Sequence, residues 1–211
     1  MKTEIIKVDT NRIELEKLDL IKAVLEEDGV MAYPTDTFYG LGVNCFSEDA
    51  IRKVYLLKRR TLSKPLSVII ADTSELEDLV EDIPPIFFSL SKEFWPGLLT
   101  IVFRASEKLP EILIGHSRSI GVRCPGFEWL RALVRHVCFP ITATSANFSD
   151  KGESRDPRCI REDFSGEIDM IVDGGRTSGL HASTVIDVST GKVKILREGA
   201  LPVSLFRKYL D

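Results

Sequence analysis

Long apolar runs are missing from this 211-residue chain. No stretch approaches the roughly 18 consecutive apolar residues that a membrane-crossing helix needs. The opening MKTEIIKVDTNRIELEK is charged throughout and lacks the apolar core of a secretory signal, so the sequence reads as a cytoplasmic protein with no membrane partner. Cysteine is scarce: Cys45, Cys124, Cys138 and Cys159 form no CxxC pair. That spacing speaks against a zinc site or a disulfide framework, and all four read as reduced thiols used for packing. The 3 histidines, His116, His136 and His181, stand at no informative spacing from a motif serine, so there is no Ser/His/Asp order to defend. Positive charge is not in excess either. The 28 bases against 32 acids leave a net charge of −4, which excludes a protein held to nucleic acid by bulk charge alone.

What is present is the composition of a globular protein, with 44% hydrophobic and 28% charged residues, no repeat and no low-complexity segment. The length fits one domain over residues 1–211, since helical and strand-like patterns intermix without a linker. Leu15, Leu18, Ile21 and Leu25 recur at helical spacing within 13–28, and Gly29 stops that helix. Ser47 is a helix cap, followed by Glu48 and Asp49 where the helix dipole favours acids. A second amphipathic helix spans 127–137, and further helical stretches cover 74–81 and 85–94. Short apolar runs at 30–33, 66–71, 98–103, 120–123, 141–144, 168–172, 184–188 and 193–197 read as strands. Ser189 to Gly191 turns the last two into a hairpin, and residues 148–161 read as a polar loop. The fold class is therefore α/β, with a mixed sheet, helices beside it and ligand contacts at strand ends.

Charge is distributed unevenly along the chain. Residues 52–64 hold Arg52, Lys53, Lys58, Arg59, Arg60 and Lys64 and no acid, while 72–82 hold Asp72, Glu75, Glu77, Asp78, Glu81 and Asp82 and no base. A basic segment on an acidic protein suggests a confined anion site, and a solvated helix face is the plainer alternative. Five segments carry groups suited to a ligand. The first is 34–42, PTDTFYGLG, with threonine hydroxyls and flexible glycines after a strand; no lysine follows, so it is not a GxxxxGK[ST] loop. The second is Lys58, Arg60 and Lys64, which converge on a polyphosphate if the backbone is extended there. The third is Ser119-Ile120-Gly121-Val122-Arg123, where alternation puts Ser119, Gly121 and Arg123 on one face. Arg123 sits between apolar neighbours and needs an anion, either a ligand or a structural carboxylate. The fourth is Ala143 to Asn147, and the fifth is Ser183-Thr184-Val185 with Arg197. The set is rich in cations and hydroxyls and poor in nucleophiles, which suits nucleotidyl or phosphoryl transfer.

In this order, PTDTFYGLG, KxR, KPLSVII, WPGLLT, GVR, SAN, STV and ILREGA resemble the YrdC-like family over about residues 15–200. The resemblance implies an open twisted mixed α/β sheet with flanking helices and a concave cleft, and a nucleotidyltransferase, threonylcarbamoyl-AMP synthase. Such an enzyme converts L-threonine, bicarbonate and ATP with Mg²⁺ to L-threonylcarbamoyladenylate and pyrophosphate. Partner proteins then pass the group to tRNA. The resemblance assigns Thr37, Arg123, Ala143 and Ser183 to threonine. It assigns Arg60, Lys64, Ser119, Ser145, Asn147, Ser154 and Arg197 to ATP, with Lys58 and Arg60 acting on the charge of the phosphates and no metal held by protein ligands alone. Lys58 and Asn147 are its candidates for support of the phosphates or the metal.

Several positions depart from the family pattern. Ile69 stands where some members carry a histidine that contacts threonine, Thr61 replaces a common proline, and the loop after Asn147 is one residue longer. Longer members add a C-terminal domain, so this sequence reads as the short form without a lid of that kind. Two other readings compete with the synthase. One is a double-stranded RNA-binding or ribosome-maturation factor using the basic run, which tRNA or double-stranded RNA would occupy. The other is a YciO-like nucleotide-binding protein with weak synthase activity, a branch described as lacking the complete KxR and SxN set that this chain has in Lys58, Arg60, Ser145 and Asn147.

Overall fold

The structure is a computed structural model and describes residues 2–61, 64–148 and 152–210. Among them, ten strands form one sheet: β1 (Glu4–Lys7), β2 (Met31–Tyr33), β3 (Gly40–Gly42), β4 (Ser67–Ile69), β5 (Leu99–Arg104), β6 (Ser119–Arg123), β7 (Ile141–Ser145), β8 (Met170–Asp173), β9 (Thr184–Asp187) and β10 (Lys194–Arg197). Their order is β1-β8-β2-β3-β7-β4-β6-β5-β9-β10. Parallel pairs (β1/β8, β2/β8, β4/β6, β5/β9) mix with antiparallel ones, as the hairpin-like spacing near the C-terminus foretells. The β9/β10 pair is the expected hairpin, and Gly191 takes the left-handed conformation its turn requires, with φ 78°.

The helices are α1 (Leu15–Glu26), α2 (Glu48–Lys58), α3 (Leu76–Leu79), α4 (Ile86–Phe94), α5 (Glu111–Ile114), α6 (Glu128–Val137) and α7 (Pro157–Phe164). Ser47 caps α2 by accepting from the Ala50 N–H. Strand alternation sends side chains to two cores. One face of the sheet meets α1 and α6: Leu18, Ile21, Leu25, Trp129, Leu133 and Val137 pack on Met31, Tyr33, Met170 and Val172. Ala32, Val68, Ile101, Val122, Ile171 and Ile186 point to the opposite face, into a core shared with Ile51, Val54, Phe87, Leu90, Ile160 and Phe164.

Four local readings change. The short strand β1 is an edge strand whose partner, β8, is more than 160 residues away in the chain, so no local signal announces it. β3 is Gly-Leu-Gly, within the segment 34–42 for which the sequence predicts no strand; a Cβ on Gly42 would sit 2.7 Å from the Tyr33 ring, so glycine lets two strands pass a buried tyrosine. The stretch 148–161, read as loop, becomes helical from Pro157. Asp156 accepts from the Arg158 N–H, Pro157 occupies the first turn, and Ile160 and Phe164 are buried four residues apart. Residues 149–151 of that stretch lie outside the described residues. Finally, packing holds for Cys45 and Cys124 only, because Cys138 and Cys159 are exposed. No helix among the described residues is long and apolar enough to cross a membrane.

Candidate active site

The sheet face that α1 and α6 cover at one end is open at the other. There Ser67 and Ile69 of β4, Ala143 and Ser145 of β7, Arg123 of β6, Thr100 of β5 and Val185 of β9 line a cleft. The period of two selects them: within each strand the intervening residues, such as Val68, Val122 and Ile186, lie in the opposite core. Loop residues Thr35, Thr37 and Phe38 close one side, and Arg60, Ser183 and Arg197 close the others.

Arg123 is the most buried charge in the cleft, at 5% exposure. Its Nη2 donates to Asp36 Oδ1 at 2.6 Å and its Nε to the Gly97 carbonyl at 2.9 Å. Among the described residues nothing accepts from its Nη1, which leaves one edge of the guanidinium for a ligand in the cleft. Burial pushes Arg123 down from the usual arginine range, and Asp36 opposes that shift. Arg123 thus meets the structural carboxylate of Asp36 on one side and keeps a second edge toward the cleft.

Thr35 and Thr37 form a directional pair. Thr35 Oγ1 accepts from the Thr37 N–H at 2.9 Å and donates to the Phe38 carbonyl at 2.7 Å. The Thr37 hydroxyl, 2.9 Å away, is then the donor to Thr35, and its lone pairs remain as acceptors beside Arg123's cleft. The Thr177 hydroxyl donates to the Thr37 carbonyl and the Ser154 carbonyl accepts from the Tyr39 N–H, so the loop is tied down from two sides. Across the cleft, Arg197 Nη2 donates to the Ser183 carbonyl at 2.9 Å, and the Ser183 and Thr100 hydroxyls are 2.8 Å apart.

The basic segment is not extended. Lys58 ends α2, and Arg59 caps the helix in the left-handed conformation with φ 50°. That kink turns Lys58 inward to 2% exposure and brings Arg60 back over the cleft, where it donates to the Lys64 and Pro65 carbonyls. Lys58 Nζ donates to the Ser145 carbonyl (2.5 Å), the Asn147 carbonyl (2.8 Å) and Asn147 Oδ1 (3.0 Å). Burial, with help from Arg60 and against the pull of Glu153, pushes the Lys58 ammonium down to about 8.

Of the residues singled out in the sequence, Thr37, Arg60, Arg123, Ala143, Ser145, Ser183 and Arg197 share the cleft wall. Lys58 and Asn147 lie directly behind it. Lys64, Ser119 and Ser154 do not line it. Lys64 is exposed, Ser119 pairs with Ser117 at the outer end of β6, and Ser154 bonds the Asp156 backbone. The sequence reading passed over Asp36, Ser67, Thr100 and Glu153. Ser67 and Thr100 were findable, as polar residues inside apolar strands. The pairing of Asp36 with Arg123, 87 positions apart, was not. No cluster of three or more acidic, histidine or cysteine side chains suited to a metal exists among the described residues.

The family profile Sua5_yciO_yrdC, described as "Telomere recombination", matches residues 23–199. The threonylcarbamoyl-AMP synthase of Pyrococcus abyssi is 38% identical over 199 residues, 94% of this chain and 58% of that protein. The protein of the same name from Bacillus subtilis is 38% identical over 181 residues, 85% of this chain and 52% of its own length. This chain therefore spans between half and three fifths of those two curated relatives. The crystal structure of P. abyssi Sua5 complexed with L-threonine superposes with a TM-score of 0.92 at 38% identity, covering 98% of this chain and 61% of that one. With an open mixed sheet, a cleft of this make-up and a profile match over most of its length, the chain belongs to the Sua5/YciO/YrdC family.

Proposed function

We propose that this protein is an L-threonylcarbamoyladenylate synthase, a nucleotidyltransferase serving tRNA modification. The observation that carries the reading is the Arg123 guanidinium, buried, braced by Asp36 and Gly97, and with one edge turned to a cleft that also presents the acceptor oxygen of Thr37. A fixed guanidinium edge suits a planar carboxylate, and an acceptor hydroxyl suits an ammonium or hydroxyl donor. An α-amino acid offers both. The name and bound ligand of the P. abyssi relative support L-threonine as that amino acid.

In this reading Ala143 and Ser183 complete the amino-acid pocket, and Arg60 and Arg197 neutralise the phosphates of ATP. The threonine amine adds to bicarbonate and water leaves, giving a carbamate. A carbamate oxygen then attacks the α-phosphorus of ATP, forming the mixed anhydride with AMP as pyrophosphate departs. Catalysis comes from holding the reactants together and from cationic compensation of phosphate charge. Mg²⁺ would arrive on the triphosphate, whose charge it offsets; Glu153 is the carboxylate lining the cleft and would face it. Lys64, Ser119 and Ser154 take part only if the nucleotide extends past the wall. The adenylate would pass to transferase proteins that act on tRNA.

Pyrophosphate release from Mg·ATP tests the proposal. Release that requires both L-threonine and bicarbonate is expected. ATP binding without such release would overturn the synthase in favour of a nucleotide-binding protein. RNA binding that weakens steeply with salt, without ATP turnover, would favour the RNA-binding reading.

A further inference from the structure

Lys58 is usually the kind of residue given to a triphosphate, yet its surroundings leave it no donor for one. An ammonium has three N–H groups. Three protein oxygens, the carbonyls of Ser145 and Asn147 and Asn147 Oδ1, lie within 2.5–3.0 Å of Nζ, and the side chain is 2% exposed. All three acceptors belong to the end of β7 and the turn that follows it. Ser145 adds its own bond, its hydroxyl donating to Asn147 Oδ1 at 2.6 Å. Two donors thus converge on one amide oxygen, which fixes the flip of the Asn147 side chain. They also fix the sense of the Ser145 hydroxyl: its proton is committed to Asn147, so toward the cleft it can only accept. An acceptor cannot bind an unprotonated phosphate oxygen. It fits a donor, such as a ribose hydroxyl or the adenine amino group.

We propose that Lys58 is a positioning residue, whose ammonium holds the 145–147 turn so that Ser145 presents an acceptor to the nucleoside part of the nucleotide, while phosphate charge is met by Arg60 and Arg197. This rests on the reading of the cleft as an ATP site. Lys58 acts through the turn, so removing it costs whatever the ordered turn contributes and no direct phosphate contact. Arg60 differs in kind: it lines the cleft, and among the described residues its Nε and Nη2 donate to the Lys64 and Pro65 carbonyls while its Nη1 has no acceptor.

The test is a double-mutant cycle of Lys58→Met and Ser145→Ala, read as dissociation constants for ATP, AMP and L-threonine. The expected result has three parts. Lys58→Met weakens AMP and ATP by the same factor, of the order of tenfold. Ser145→Ala adds less than about threefold to the Lys58→Met protein. L-threonine affinity stays within about threefold, which a general loss of structure would not allow. A loss that grows from AMP to ATP, with additive effects of the two substitutions, would place Lys58 on the phosphates and overturn the proposal. If Lys58→Met does not fold, Asn147→Ala removes the shared amide oxygen and is read against the same ligands with the same criteria. A parent protein that binds neither nucleotide would overturn the ATP reading itself, and the positioning role with it.

Discussion

On one face of the sheet, the end beneath α1 and α6 carries Met31, Met170 and Val172, whereas the cleft end carries Ser67, Ala143, Arg123 and Thr100, with Tyr33 reaching both. The strands at both ends obey the same alternation and share the same opposite core. The difference is the presence or absence of a covering helix. Where Trp129, Leu133 and Leu18 press down, large apolar side chains face them and exclude water. Where no helix lies over the sheet, small, hydroxyl-bearing and cationic side chains stand beside Ile69 and Val185, and the concavity they leave suits a polar ligand. Stability and recognition are thus separated along one surface. Arg123 marks the join: its backbone belongs to the sheet, its charge is braced by a loop carboxylate, and its free edge belongs to the site.

Substitutions at the two ends should therefore differ in what they change. Trp129→Ala removes a buried indole from the covered end and is expected to cost about 3–5 kcal/mol in urea denaturation. Its L-threonine affinity, measured where the protein is still folded, should stay within about threefold; a larger loss would mean the ends are not separable. Arg123→Ala should do the reverse at the open end. It should weaken L-threonine by at least about 100-fold, roughly 2.7 kcal/mol, with ATP affinity changed far less. Equal losses for both ligands in calorimetry would remove Arg123 from the amino-acid pocket.

Gly179→Ala sharpens the comparison from the loop side. A Cβ there would lie 2.2 Å from Thr37 Cα and 2.4 Å from its carbonyl oxygen, both backbone atoms. The 34–38 loop must shift, so L-threonine affinity should fall about tenfold while the thermal midpoint moves by only a few degrees. An unchanged affinity would show that Thr37 is not a contact.

The smallest effect is a pH response at Lys58. Burial first, and Arg60 second, hold this ammonium at about 8, below the ordinary 10.5, with Glu153 opposing. Between those values the folded protein binds fewer protons than the unfolded chain, so this group's contribution makes stability rise with pH through that window. The same deprotonation leaves two donors for three acceptors and loosens the 145–147 turn. ATP affinity is expected to fall a few-fold from pH 7.5 to 9.5 while the Lys58 contribution to stability increases. The Lys58→Met protein should lack both responses. Parallel responses in the two proteins would assign them to other groups.

Much of this was readable along the chain because it is local. The spacing of Leu18, Ile21 and Leu25, the Ser47 cap and the turn at Gly191 act within a few residues, and each appears where its pattern predicts. The site segments were readable too, since Thr37, Arg123, Ser145 and Ser183 stand as polar residues at or near the ends of apolar strands. The kink at Arg59 was not: the basic run suggested an extended segment, but the end of α2 puts that residue in the left-handed region and sends Lys58 and Arg60 to different tasks.

By itself the sequence determined most of the elements, the mixed character of the sheet and the inventory of cations and hydroxyls, because propensity, capping and alternation are properties of neighbouring residues. Only the tertiary structure decided which of those groups face one another. Asp36 against Arg123 and Lys58 against Asn147 join residues 87 and 89 positions apart. Such pairings depend on strand order and on which face a helix leaves open. No short stretch of sequence contains either, and they determine whether a charge is braced, buried or offered to a ligand.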